Sequence, residues 1–570
     1  MTLTYDAGTY GKGRRTGASD ANHSMSWVYD ALGRVTSKAQ TVGTVAKTVG
    51  YAYTNGNLTT LATPSGQSVV YGYNANNQVV SITVNSTTLL SGVTYEPFGP
   101  AKGWTWGNGT ASSRTFDTDG KVTAVASAGN KTYAFDDAFR ITGITDTVTP
   151  ANSYTYGYSN LDRLTSAVKT GTTRGWTYDA NGNRVSETGA SPSTYTISSA
   201  NNRISSISGS VARTYTYNAV GSALTYSNIT ATYNHHGRMT TLKKASTTAT
   251  FVYNALDQLV KRSGGTPGTV LYVYDEAGHL LGEYNSTGGL VQETIWLGDT
   301  PVATLRPGTP VGIFYVHTDH LNTPRKVTRP SDNKARWTWE SDPFGTATPN
   351  ENPQSLGTFK YNLRFPGQIY DSHGGLMQNY FRDYDPAIGR YVESDPIGLA
   401  GGVNSYLYAS ANPLVRIDPL GLTTLSLDVA SGMLTVDPQE GDVVPYEVAV
   451  TSGKGQCTND TSCEQKTSEG PIPRGQYYLN LSEVTNPNAF GDVLRTLRQG
   501  HDWGDWRVPL HPVPGTNTFK RDGFYLHGGM FSGSAGCIDV GGGLWGNRIT
   551  EMVIRDLLND PDSYVPLYVK

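Results

Sequence analysis

A chain of 570 residues exceeds what one ordinary core can hold, so several domains or a repeat array are expected. Its net charge of −3 and pI near 6.4 exclude a strong electrostatic case for nucleic acid or an anionic membrane as partner. The 65 glycines and 36 tyrosines favour short strands and tight turns, since aromatic side chains suit a pleated surface and glycine suits positive φ. The start, MTLTYDAGTYGKGRR, lacks the apolar segment of a secretory signal, and no run approaches a membrane span. Export by a specialised machine is therefore expected, without stable membrane insertion.

Self-similarity dominates the first 290 residues: VYDALGRVTS from Val28, YGYNANNQVVSI from Tyr71, WTYDANGNRVSE from Trp176, FVYNALDQLVKR from Phe251. The shared pattern is aromatic-x-Tyr-(Asp/Asn)-x-x-Gly-x-apolar, recurring at about 20 residues or twice that, the signature of an array. Each unit reads as one hairpin. The Tyr and the aromatic two residues before it share a face, and the Asp/Asn–Gly segment supplies the turn. A single hairpin cannot fold alone, so neighbours must stack. These residues resemble the YD repeats of Rhs proteins over roughly residues 1–420. The resemblance implies a long β-sheet strip that spirals into a shell with a tyrosine-lined interior, and no chemistry in the repeats.

Two later stretches extend the resemblance, HTDHLNTPRKVT (His317–Thr328) and WTWESDPFGTATP (Trp337–Pro349). His317, Asp319 and His320 have ligand-like spacing, but three donors on one turn with no fourth leave the site incomplete, and they read as shell structure. Neither metal nor cofactor is expected.

From Asn379 the chain reads NYFRDYDPAIGRYVESDPIGLAGGVNSYLYASANPLVRIDPLGL, with two DPxGL units 23 residues apart. One such unit is an ordinary turn. The pair, after FRDYDP, resembles the Rhs repeat-associated core, whose DPxGL pairs form an internal aspartyl protease. Two carboxylates held close cannot both ionise, so one serves as acid while the other activates water. The resemblance assigns Arg382, Asp395 and Asp418 as the catalytic group and Leu422–Thr423 as the scissile bond. It divides the chain into a repeat shell (1–345), a self-cleaving core (346–422) and a C-terminal domain of about 150 residues (423–570).

Beyond Leu422 the repeat ends. TLSLDVASGMLTVD reads as a hairpin turning at Ser431-Gly432, YEVAVTSGKG and the stretch after Pro471-Ile-Pro-Arg-Gly475 as strands, and ITEMVIRDLLND as the one convincing helix. GFYLHGG is a strand ending at His527, from which a hairpin-like excursion of ten residues can return Cys537 beside it. A thiolate nucleophile needs a nearby base and oxyanion donors, and glycines around Cys537 leave backbone N–H groups open. Alone, a Cys and a His ten apart are more often structural. GPIPRGQYYL followed by LHGG and SAGCI, however, resembles the L,D-transpeptidase fold in its toxin branch, the type VI secretion L,D-transpeptidase effectors. That resemblance assigns Cys537 as nucleophile, His527 as base, Ser534 as a positioning hydroxyl and Gly536 with Cys537 as the oxyanion turn. Asp539 could orient His527, bind a substrate amine or serve only the turn. His501 and His511 have less claim. Cys457 and Cys463, spaced C-x5-C, read as a disulfide formed in an oxidising periplasm, since no Cys or His cluster completes a metal site.

The fold expected is thus mainly β: a YD-repeat sheet shell followed by a small β-rich L,D-transpeptidase-like domain with one C-terminal helix. The function implied is an antibacterial effector that cuts itself and attacks peptidoglycan stem peptides in the target periplasm. Its implied partners are a cognate immunity protein and a secretion component such as a VgrG/PAAR protein or chaperone. An NlpC/P60- or amidase-like cysteine peptidase is the alternative enzyme, although those families usually place Cys before His. A non-enzymatic YD-repeat adhesion or carbohydrate-binding protein is the third reading.

Overall fold

The structure, a computed structural model, describes residues 1–97, 100–118, 120–127, 129–198, 200–396, 404–419, 424–429, 433–437, 446–467, 469–480, 507–512, 516, 518–519, 521, 523–527, 536–540, 553 and 564–569. The chain forms two compact units. One comprises Met1–Glu96, Pro100–Glu393 and Tyr408–Gly421, the other Pro97–Gly99, Ser394–Leu407 and Leu422–Lys570. Among the described residues no helix is long and apolar enough to cross a membrane.

In the first unit, 33 strands from Thr2–Tyr5 to Ala335–Thr338 form one sheet, each strand antiparallel to the next in sequence. One hairpin turn recurs along the sheet with variations. At Asp30 the carboxylate accepts from the N–H groups of Leu32 (2.9 Å) and Arg34 (3.0 Å), closing the turn, while Gly33 takes φ +80°. A bulge before Tyr29 then sets it opposite Val35. The aromatic two residues earlier, Trp27 here and Tyr51, Tyr133 or Trp176 elsewhere, is buried.

The repeat tyrosine has a second task. Tyr53 donates its hydroxyl to the carbonyl of Val35 (3.0 Å), Tyr73 to Leu58 (2.8 Å), Tyr178 to Leu164 (2.8 Å) and Tyr253 to Met239 (2.9 Å). Each acceptor is the apolar residue that ends the pattern in the preceding unit. The phenol therefore bonds one hairpin to its neighbour, which phenylalanine could not do.

The sheet curls back on itself. Lys38 donates to the Asp275 carbonyl (3.1 Å), Gln40 to that of Tyr272 (2.8 Å) and Asn108 to that of Pro330 (3.0 Å), pairs separated by 237, 232 and 222 residues. Between these windings lies one apolar core that joins Val49, Val69, Ile82 and Trp106 to Val260, Leu281, Ile295 and Leu305. Over these stretches the inner faces pack directly against each other as two layers. A smaller antiparallel sheet of Gln368–Asp371, Leu376–Asn379, Arg382–Asp385 and Arg390–Tyr391 follows in the same unit.

The second unit holds an eight-stranded sheet in the order Tyr446–Ala449, Met433–Asp437, Thr424–Asp428, Tyr564–Val569, Gly475–Asn480, Arg507–Pro512, Tyr525–His527, Ile538–Asp539. Thr424–Asp428 and Met433–Asp437 pair antiparallel as the hairpin reading expects, although the turn itself lies outside the described residues. Alternate positions such as Leu427, Leu434, Tyr477, Leu479, Leu526 and Ile538 fill the core. Of the expected helix ITEMVIRDLLND only Val553 is described, and it is helical; the rest lies outside the described residues.

Candidate active site

His527 ends its strand, and Ile538–Asp539 lies beside it in parallel register: Leu526 is level with Ile538, and His527 with Asp539. The hydrogen bond from Val540 N–H to the His527 carbonyl (2.8 Å) extends the pairing. This differs from the hairpin-like return expected, because a hairpin would run antiparallel. The parallel course brings the C-terminal ends of both strands together. Cys537 immediately precedes this strand, and its thiol lies 3.8 Å from the Gly523 carbonyl oxygen. Cys537, His527 and Asp539 are all buried.

The turn that carries Cys537 is fastened from below. Asp539 and Thr451 exchange both backbone hydrogen bonds (2.9 and 3.0 Å). The Ser452 hydroxyl donates to the Cys537 carbonyl (2.6 Å) and accepts from Ile472 N–H (2.8 Å). Gly536 donates its N–H to the Gly470 carbonyl (2.9 Å), so that group is committed to the fold rather than to an oxyanion. Gly536 is required for other reasons. It sits at φ +77°, and a Cβ there would stand 2.6 Å from the Arg521 guanidinium. Ser534 lies outside the described residues.

Arg521 and Ser452 are residues that the sequence reading missed. Arg521, 6% exposed, donates to the carbonyls of Glu464 (2.6 Å), Pro471 (2.7 Å) and Gly470 (2.8 Å). Burial pulls its guanidinium below the usual range, opposed by the acidic groups of Tyr477, Cys537 and Glu464. Nothing in a lone Arg-x-Gly-Phe signals this, because its partners lie about 50 residues earlier. Cys457 and Cys463 are disulfide-bonded to each other, which leaves Cys537 outside any disulfide. His511 stacks on Tyr478 with ring centroids 5.0 Å apart, a packing role, and His501 lies outside the described residues.

In the first unit, Arg382 and Asp418 meet. The guanidinium reaches the Asp418 carboxylate at 3.4 Å and lies 3.8 Å from the Tyr391 ring centroid, while the Tyr391 hydroxyl donates to Asp418 (2.6 Å). Asn379 donates to the Asp418 carbonyl (2.8 Å). Asp395 belongs to the second unit, where its N–H bonds the Ser405 carbonyl (2.8 Å). The scissile Leu422–Thr423 lies outside the described residues.

A different carboxyl pair stands beside Arg382. Asp383 projects to the opposite face of the strand and is hydrogen-bonded to Glu393, whose carboxylate also accepts from Asp383 N–H (2.8 Å). Burial pushes the Asp383 carboxyl up to about 6, and burial with the Asp383 charge pushes Glu393 well above the carboxylate range. Burial and the neighbouring acid thus favour the protonated forms of this pair.

His317 is bonded to Ser127 (2.9 Å) and Thr328 (2.8 Å), and burial holds its imidazole down to about 3. His320 bonds the Leu414 carbonyl (2.7 Å). Both serve the shell, and among the described residues no three His, Cys, Asp or Glu side chains gather into a metal-binding group.

Three family models match the chain: the Teneurin YD-shell over residues 133–399, the RHS Repeat over 53–88 and the Tlde1 domain over 447–542. Double-stranded DNA deaminase toxin A of Burkholderia cenocepacia is 34% identical over 182 residues, 31% of this chain and 12% of that protein. Toxin protein Tse5 of Pseudomonas aeruginosa is 38% identical over 112 residues, 19% of this chain and 8% of that protein. YibJ of Escherichia coli K12 is 38% identical over 122 residues, 21% of this chain and 50% of that protein. The chain thus spans half or less of the length of these relatives. The Photorhabdus luminescens Tc holotoxin pore superposes with a TM-score of 0.59 at 17% identity, covering 74% of this chain and 24% of that one. The TcdB2-TccC3 crystal structure gives 0.60 at 17%, covering 74% and 25%. At that identity the likeness shows a common YD-repeat β-sheet shell. The family models and curated relatives together support an Rhs/YD-repeat polymorphic toxin relationship.

Proposed function

We propose that this chain is an Rhs-type antibacterial effector that cleaves itself after Leu422 and frees Thr423–Lys570 as a cysteine L,D-transpeptidase/L,D-carboxypeptidase acting on peptidoglycan stem tetrapeptides. The observation that carries the reading is the parallel pairing of His527 with Asp539, with Cys537 buried two residues before Asp539. The Tlde1 domain match over 447–542 supports it, since that segment contains all three residues. The chemistry follows from the groups present. The Cys537 thiolate attacks the carbonyl carbon of the third stem residue, the bond to the terminal D-Ala nitrogen breaks, and His527 gives that amine its proton. Water or a free amine then attacks the thioester carbonyl, and the sulfur leaves as thiolate. The products are a tripeptide or an exchanged stem, neither of them a donor for cross-linking. Such an enzyme would act in the periplasm, be carried there by secretion machinery and be restrained in its producer by an immunity protein.

A second reading comes from the relatives, one of which is a DNA deaminase toxin. That match of 182 residues is longer than the segment of about 150 residues after Leu422, so it extends outside that segment. A zinc deaminase also needs His-x-Glu and Pro-Cys-x-x-Cys. Neither occurs here, and two of the three cysteines are bonded to each other. The two readings separate by incubating the protein with defined muropeptides and, in parallel, with duplex DNA, each followed by mass spectrometry. Loss of one alanine from tetrapeptides is expected. Base conversion or strand breaks without peptide cleavage would overturn the proposal.

A further inference from the structure

Arg521 stands six residues before His527 in sequence, yet its hydrogen bonds all go to the opposite wall of the Cys537 turn. Its guanidinium gathers three carbonyls, those of Glu464, Gly470 and Pro471, into one arc. The middle carbonyl, Gly470, also accepts the N–H of Gly536, the residue before the nucleophile. The Phe524 ring lies 5.6 Å from the guanidinium carbon and closes the other side. Gly536 has no side chain where a Cβ would strike the guanidinium, so backbone and cation approach closely. A cation so deeply buried would be costly without compensating acceptors and a negative neighbour.

We propose that Arg521 is a positioning residue for the nucleophile: it locks the Gly536–Cys537 turn through Gly470 and supplies the positive charge that faces the Cys537 thiolate. The inference rests on Cys537 being the nucleophile. The attraction between Arg521 and Cys537 accompanies this geometry. Other ionisable groups border the site: His527 and Asp539 on the paired strands, Arg507 level with His527 on the next strand, and Glu464 and Tyr477 around the guanidinium. Arg521 donates to the Gly470 carbonyl, which also accepts the N–H of Gly536 in the nucleophile's turn. A cation so placed favours thiolate over thiol without consuming the proton that His527 must later deliver. It is not a catalytic residue in this account, because it touches no reacting atom.

The test is the pH dependence of Cys537 alkylation by iodoacetamide in the full chain with its disulfide intact, so that a single thiol is read. Arg521→Gln should move the alkylation midpoint upward by about one pH unit or more, the effect of removing a nearby opposite charge. Arg521→Lys keeps the charge without the planar fork, and should hold the midpoint near the parent value while slowing tetrapeptide cleavage. An unchanged midpoint in Arg521→Gln would overturn the proposal. Should that variant fail to fold, Arg521→Lys decides instead, and a midpoint risen to that of an ordinary thiol would overturn the claim. Failure of the nucleophile assignment reads differently: Cys537→Ala would retain cleavage whatever the alkylation profile.

Discussion

The hydroxyl of Ser452 donates to the carbonyl of Cys537 at 2.6 Å and accepts the N–H of Ile472 at 2.8 Å, so one buried residue joins three separate segments at Cys537. Ser452→Ala leaves a carbonyl and an N–H without that partner, a loss of about 1–3 kcal/mol. Thermal unfolding should show the cost in the second unit, and cleavage of tetrapeptides should fall with it. A variant as stable and as active as the parent would show that the hydroxyl has no such role.

Cys537→Ala should abolish tetrapeptide cleavage, and His527→Ala should lower it by about 100-fold or more, the usual worth of a general acid–base. Asp539→Asn should cost less, because the role proposed for it is to orient His527 rather than to react. Directed to the periplasm, Thr423–Lys570 should stop growth, and its Cys537→Ala form should not. Toxicity that survived this change would mean another residue does the chemistry.

Self-cleavage is read on a denaturing gel. The parent chain should run as two polypeptides divided at Leu422–Thr423, while Asp395→Asn or Asp418→Asn should run whole. The buried pair beside Arg382 adds a further case: Asp383→Asn should also run whole, because it removes a buried carboxyl next to Arg382. Efficient cleavage in Asp383→Asn would confine the reaction to the two DPxGL acids.

The Asp383–Glu393 pair also carries a pH signature. Both carboxyls are raised above their ordinary values of 3.8 and 4.5 by burial, so the native state keeps protons that the unfolded chain releases. The Asp383 contribution to stability is therefore fully present below about pH 4 and is lost as pH rises through its folded value of about 6, and the Glu393 contribution is likewise lost as pH rises. In a cleavage-blocked Asp395→Asn background, adding Glu393→Gln should flatten the fall in melting temperature across that window. Parallel curves for the two proteins would refute this assignment.

Stacking of the repeats through phenols is testable at single sites. Tyr253→Phe deletes the bond to the Met239 carbonyl (2.9 Å) and should cost about 1 kcal/mol in denaturant unfolding of the first unit. Tyr178→Phe, which loses the Leu164 bond (2.8 Å), should cost a similar amount, and the two should add because they lie in different hairpins.

The repeat hairpins were determined by sequence alone, because each is made within about ten residues by turn chemistry that Tyr, Asp or Asn and Gly impose locally. The eye could also find Cys537 and His527, whose spacing and glycines stand out in a chain with three cysteines. What those parts do to one another was decided by tertiary structure. The phenols' acceptors, the contacts between windings 222 to 237 residues apart and the parallel course of the His527 and Asp539 strands have no local signature. Ser452 reaches Cys537 across 85 residues, Arg521 reaches back about 50, and Asp383 finds Glu393 around a strand turn. Each is a polar group whose meaning comes from the buried partner it meets, and burial is set by how distant segments pack rather than by neighbours along the chain.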